Sequence, residues 1–213
     1  MKKQNLLICI DRDGTLTYDK EFHLGSQKNW KSKIKILPTV IQGIKLLNKS
    51  FPEARLFIIT NQPGVAVKQL PLLTQKKAEQ VCSEIIRLLK KKGAIIHGLE
   101  VCGHASKKYQ NKRRENFTFY KKYICECSCI KPKPGMIFNA LKKLNWRKKD
   151  TMVYVLGDRS TDIQAAHNAK GFGIIIPFKE TSDQKPKLNK LKFRFHTAKN
   201  FLGAAKFIVR REK

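Results

Sequence analysis

The sequence predicts an α/β fold built on a parallel sheet with helices on both faces. Two observations carry this. Short apolar runs alternate with amphipathic segments over the first 178 residues, the pattern of strand–helix units. Aspartates and other polar residues gather where the apolar runs end, the edge at which such sheets bind ligands.

Each element has its own signal. Asn5–Ile10 (NLLICI) is a short apolar strand that stops at Asp11. Residues 39–49 place Ile and Leu at helical spacing, and residues 55–60 (RLFIIT) form a second buried strand before NQPG. Residues 74–93 read as an amphipathic helix with Thr74 as N-cap and Gly93 past its end. Residues 94–101 predict a third strand, 135–144 a helix, 152–157 a fourth strand, 160–171 a helix and 171–176 a fifth strand. A last helix is expected near 200–209. Two units are expected: a core over 1–178, with a loop at 102–134 inside it, and a basic C-terminal extension over 179–213 whose helix packs on the core.

Charge is the outlier. Lys and Arg number 45 against 16 Asp and Glu, a formal net charge of +29. Such a chain attracts phosphate, nucleic acid or an anionic surface. The lysines run through every part of the chain, however, which is also the mark of a compositional bias spread over the surface. The apolar run Leu6–Ile10 is too short for a signal peptide, and no run approaches the roughly 20 residues of a membrane helix. A cytoplasmic setting is expected, in which the six cysteines stay reduced. Cys9 and Cys82 sit in apolar patterns and read as small core residues.

The strand ends carry the chemistry. DRDGTL sets Asp11 and Asp13 two residues apart, so that in extended chain both carboxylates face one site, and Gly14 permits a turn. Two like charges that close need a cation or a proton between them, and Mg²⁺ suits carboxylate and carbonyl oxygens. GDRSTD adds Asp158 and Asp162, one helical turn apart. The bland alternative is two unrelated strand-end turns with capping aspartates.

DRDGTL, ITNQPG, KPKPGM and GDRSTD, in this order and spacing, resemble the motifs of haloacid dehalogenase-like phosphatases. The similarity covers residues 5–178. It is strongest to the branch of D-glycero-D-manno-heptose 1,7-bisphosphate and histidinol-phosphate phosphatases. The resemblance implies a Rossmann-like sheet, largely capless, and Mg²⁺-dependent hydrolysis of a phosphate monoester. It casts Asp11 as nucleophile, Asp13 as general acid and base, and Thr60 and Lys131 as phosphoryl-group ligands. It further implies substrate contacts from Asn61 and Arg159. Mg²⁺ would be held by Asp11, the Asp13 carbonyl and Asp158, with Asp162 behind them.

The same branch carries a zinc loop of the form CxH…CxCxKP. Here CGH stands at 102–104 and CSC at 127–129, before Ile130, Lys131 and Pro132. Cys102, His104, Cys127 and Cys129 would form a closed, structural Zn²⁺ site that clamps the loop bearing Lys131. Cys125 is left over.

The sequence departs from that branch at two places. Ile130 stands where the family has Arg, which puts the substrate in question. Residues 105–126 form a long basic insert with interleaved aromatics, either a grip on single-stranded nucleic acid or a basic loop whose aromatics pack on the domain. Expected partners are a small phosphorylated metabolite and, non-specifically, nucleic acid. No membrane contact is expected, and the chain is expected to be a monomer. The substrate expectation is a heptose bisphosphate-like sugar phosphate. Histidinol phosphate and a nucleic-acid 3′-phosphate are the alternatives.

Overall fold

The computed structural model describes residues 4–18 and 23–213. Its centre is a six-stranded, wholly parallel sheet. In chain order the strands are β1 (Asn5–Ile10), β4 (Arg55–Asn61), β5 (Gly98–Cys102), β6 (Thr151–Gly157), β7 (Phe172–Ile175) and β8 (His196–Thr197). Their spatial order is β5-β4-β1-β6-β7-β8. A two-residue pairing of β2 (Thr17–Tyr18) with β3 (Lys35–Ile36) follows the first turn.

Successive strand residues point to opposite faces, and each face has its own core. Leu6, Ile8 and Ile10 of β1 and Leu56 and Ile58 of β4 bury against α1 (Val40–Ser50), α2 (Gln75–Lys91) and α7 (Phe201–Glu212). Leu7, Cys9, Phe57, Ile59, Val153 and Val155 bury against α4 (Gly135–Lys143) and α5 (Ser160–Asn168). Cys9 and Cys82 are fully buried within these cores. Thr74 caps α2, its Oγ1 accepting from the Lys77 amide at 3.1 Å.

Two departures from the sequence reading have local causes. The third strand starts at Gly98, not at 94, because the Asn48 side chain holds both the Ile95 amide and carbonyl and keeps them off the ladder. The insert contains a helix, α3 (Lys107–Arg113), which buries no residue and so left no apolar period; Ser106 caps it through the Tyr109 amide. The last helix runs to Glu212. After β7 the chain makes a 3₁₀ turn at Lys179–Gln184 and the short α6 (Lys185–Leu188), then adds β8 to the sheet edge. Phe201, Ala204, Ala205 and Ile208 of α7 lie in the first core.

β1 is flanked by β4 on one side and β6 on the other. The chain builds outward to β5 first and then crosses to β6. The carboxyl ends of β1 and β6 therefore stand at the switch point where parallel sheets hold ligands. Among the described residues, no helix is long and apolar enough to cross a membrane.

Candidate active site and metal-ligand cluster

Asp11 follows β1 directly, its amide held by Leu156 O at 2.8 Å, which fixes it beside β6. Asp158 follows β6, and Asp162 sits in the first turn of α5. Carboxylate oxygens of the three lie within 4.8 Å of one another, and all three residues are buried. Gly14 closes the turn after β1 at φ +79; a Cβ there would stand 2.6 Å from Asp158 Oδ2. Gly157 likewise leaves room for the Asp162 carboxylate, which a Cβ would meet at 2.2 Å.

Lys131 comes from the far side, off the loop before α4. Its Nζ donates to Asp11 Oδ1 and Asp162 Oδ1, both at 2.6 Å, and to Ile59 O at 3.1 Å. Burial opposes the ammonium charge, yet Asp11 and Asp162 hold its pKa above the ordinary lysine value. The Asp11 pKa rises to about 6, chiefly from burial, with Lys131 pulling it back. Asp158 is pushed up to about 8 by burial, with Asp11 and Asp162 adding to it. Among the described residues, both Asp158 carboxylate oxygens are buried without a hydrogen-bond donor, and Arg159 Nε stands 3.9 Å from Oδ2. Three carboxylates thus face one ammonium. An orphaned buried carboxylate among hard oxygen donors fits a divalent cation.

The Asp13 carboxylate lies outside this three-residue cluster. The spacing led us to expect it to converge with Asp11. Instead Arg12 Nε and Nη2 take its two oxygens at 2.7 and 2.8 Å, and Gln62 Nε2 donates to it at 2.7 Å. Asp13 still stands close enough to raise the Asp11 pKa. Gln62 also accepts from Arg12 Nη2 at 2.9 Å and donates to Thr60 Oγ1 at 2.9 Å. Accepting that bond leaves the buried Thr60 hydroxyl its proton to donate. Sequence reasoning passed over Arg12 and Gln62. Their signal was present: both are charged or amide side chains inside quoted motifs at strand ends. Asn61, read as a pocket residue, brackets the Lys131 backbone, accepting from its amide at 3.0 Å and donating to its carbonyl at 3.2 Å. Arg159 is the N-cap of α5, and its amide donates to Asp162 Oδ2 at 3.0 Å.

Cys102, His104, Cys127 and Cys129 also come together within 4.8 Å. His104 Nδ1 stands 3.3 Å from Cys127 Sγ, 3.5 Å from Cys129 Sγ and 3.9 Å from Cys102 Sγ. Cys102 and Cys127 are 3.8 Å apart. The edges of a tetrahedral thiolate–imidazole zinc shell are roughly 3.5–3.8 Å, so these separations fit one; the Cys127–Cys129 pair, at 2.8 Å, is tighter. A hydrogen bond from Cys102, with others from Cys127 and His104, holds Cys129 down to about 5, whereas burial pushes Cys127 up to about 11. Cys125 is a free thiol outside the cluster. Ile130 leans half-buried on the second core, alongside Cys127 and Cys129.

Within the insert, Phe119 is buried, and Tyr109, Phe117 and Tyr123 pack around Ala66, Val67 and Ala105. Tyr120 is exposed. The cations Lys107, Lys108, Lys112, Arg113, Arg114, Lys121 and Lys122 are all exposed.

At the end of the central strand of the parallel sheet stand Asp11, a buried lysine and two further carboxylates, and the chain is similar to haloacid dehalogenase-like hydrolases. The family model described as HAD-hyrolase-like matches residues 128–184. Among curated relatives, the histidine biosynthesis bifunctional protein HisB of Blochmanniella floridana is 30% identical over 164 residues, covering 76% of this chain and 38% of that protein. The D-glycero-beta-D-manno-heptose-1,7-bisphosphate 7-phosphatase of Neisseria meningitidis serogroup A is 26% identical over 159 residues, covering 75% of this chain and 70% of that protein. The chain spans about two fifths of the length of the bifunctional relatives it matches. In fold it is similar to the crystal structure of D,D-heptose 1.7-bisphosphate phosphatase from B. bronchiseptica complexed with magnesium and phosphate. That similarity has a TM-score of 0.72 and 20% identity, and it covers 96% of this chain and 98% of that one.

Proposed function

We propose that the chain is a Mg²⁺-dependent phosphatase of a small phosphate monoester, most simply a heptose bisphosphate-like sugar phosphate. The observation that carries this is the buried Asp11–Asp158–Asp162 cluster, with Lys131 bonded into it and Asp158 lacking a donor. Asp11 is the nucleophile: its carboxylate oxygen bonds to phosphorus as the bond to the leaving oxygen breaks. Asp13 gives the leaving oxygen a proton and later takes one from the attacking water, which requires its carboxylate to turn from Arg12 and Gln62 toward Asp11. Thr60 donates to a phosphoryl oxygen, and Lys131 neutralises charge on the group in transfer. Asn61 fixes the Lys131 backbone, and Arg159 faces incoming phosphate. Asp11, the Asp13 carbonyl and Asp158 would hold Mg²⁺, which supplies further neutralisation of the phosphoryl oxygens. Cys102, His104, Cys127 and Cys129 would hold a structural Zn²⁺; such thiolate ligation suits a reducing, cytoplasmic setting.

A relative named for histidine biosynthesis, at 30% identity, supports histidinol phosphate as the alternative substrate. The test is phosphate release from heptose 1,7-bisphosphate, histidinol phosphate and a 3′-phosphorylated oligonucleotide, with Mg²⁺ and with chelator. The heptose bisphosphate is expected to give the highest kcat/KM, and Mg²⁺-independent release from every substrate would overturn the reading.

A further inference from the structure

The three clustered carboxylates are aimed in different ways. Lys131 Nζ fixes Asp11 and Asp162, and the Arg159 amide takes the second Asp162 oxygen. Among the described residues, Asp158 has no such donor on its carboxylate. Its ion-pair contact with Arg159 Nε is a long one, at 3.9 Å, so the backbone that carries it does most to aim the carboxylate.

The anchor comes from the turn after β7. Gln184 is buried, and its Oε1 accepts from both the Ser160 amide at 3.2 Å and the Ser160 hydroxyl at 3.1 Å. Its own amide donates to Asp183 Oδ1 at 2.9 Å, which orients the Oε1 toward Ser160. The Ser160 amide opens α5, one of the N-terminal donors a helix leaves unpaired. Thr181, also buried, shares its hydroxyl between Phe178 O at 3.2 Å and, more weakly, Asp158 O at 3.5 Å. The same segment reaches the turn after β1. Phe178 Cδ1 lies 2.9 Å from where a Gly14 Cβ would stand. Tyr18 meets the Phe178 ring edge-on at 5.7 Å and donates to Glu180 Oε1 at 3.0 Å.

We infer that Thr181 and Gln184 are positioning residues for the Asp158 loop, which make the segment Phe178–Gln184 part of the cation site. The inference rests on the reading of that site as one for Mg²⁺. Partners behind a metal ligand usually act on its side chain; here they act on its backbone and on the next helix turn.

The test compares full-length wild type, Gln184→Leu, Thr181→Val and Gln184→Glu, the last retaining an acceptor for Ser160. Mg²⁺ affinity is read by titration calorimetry and by Mg²⁺-dependent thermal shift, beside KM for p-nitrophenyl phosphate at saturating Mg²⁺. Gln184→Leu is expected to weaken Mg²⁺ binding roughly tenfold while leaving KM unchanged, with Gln184→Glu restoring most of the affinity. Thr181→Val is expected to shift affinity the same way and decides the matter if Gln184→Leu does not fold. Variants that melt earlier but bind Mg²⁺ as wild type does would overturn this inference alone. A wild type that does not bind Mg²⁺ would overturn the phosphatase reading with it.

Discussion

Lys131 and Asp158 are opposite solutions to burying charge. Lys131 is charged and doubly paired, so removing it strands two carboxylates. Lys131→Met is expected to destabilise the fold by about 3–5 kcal/mol near neutral pH, the cost of breaking a buried pair, and to abolish measurable turnover. Denaturant melts and phosphate release check both. Asp158 accepts no hydrogen bond among the described residues and has Arg159 Nε no nearer than 3.9 Å, and burial raises its pKa. A carboxylate whose folded pKa, about 8 for Asp158 and about 6 for Asp11, exceeds its unfolded value near 4 favours folding only while protonated. Metal-free protein is therefore expected to lose stability as pH rises from about 4 to 8. Mg²⁺ competes with those protons, so the melting-temperature gain on adding Mg²⁺ should grow from pH 6 to pH 8. A gain independent of pH would count against Asp158 as ligand. At this scale the sequence was informative about residue types and poor about direction. Asp11 and Asp158 meet as their positions at strand ends implied, Asp162 joins them from one helical turn on, and Lys131 joins them as the family resemblance implied. The turning of Asp13 onto Arg12 and Gln62 was not legible, because period-two geometry fails once the strand ends at Ile10.

The loop from Cys102 to Pro134 was legible as an element, since two short Cys/His spacings survive whatever folds between them. The helix α3 inside it was not, because a helix that packs inward only through the partly buried Tyr109 shows no apolar periodicity. Purified chain is expected to carry about one zinc, measured by metal analysis on protein never exposed to chelator. Cys127→Ser should lower zinc content and turnover together, since Cys129 lies two residues before Lys131. Full zinc content in that variant would contradict the four-ligand site. The turn at Lys179–Gln184 was read as the start of an extension; its hydrogen bonds to the Asp158 loop depend on long-range placement that no local pattern encodes.

Over the whole molecule, the parallel sheet with helices on both faces was legible from alternation; how β1 and β4 divide between the two cores was not, because both strands are apolar at successive positions. The edge strand β8 was too short to leave a pattern. The charge of +29 belongs to this scale as well. The insert's aromatics mostly pack inward, so oligonucleotide binding is expected to be weak and steeply lost with salt. Replacing Lys112, Arg113 and Arg114 by Ser should leave KM for a small phosphate monoester unchanged; a selective rise in KM for a 3′-phosphorylated strand would make the insert a nucleic-acid grip. All of this hangs on one covalent step at Asp11. The direct measurement is acid quenching during turnover of a ³²P-labelled phosphate monoester, followed by mapping of the labelled peptide. The account predicts an acid-stable, hydroxylamine-labile label on Asp11 and neither label nor turnover in Asp11→Asn. Label on another residue, or turnover that persists in Asp11→Asn, would contradict it.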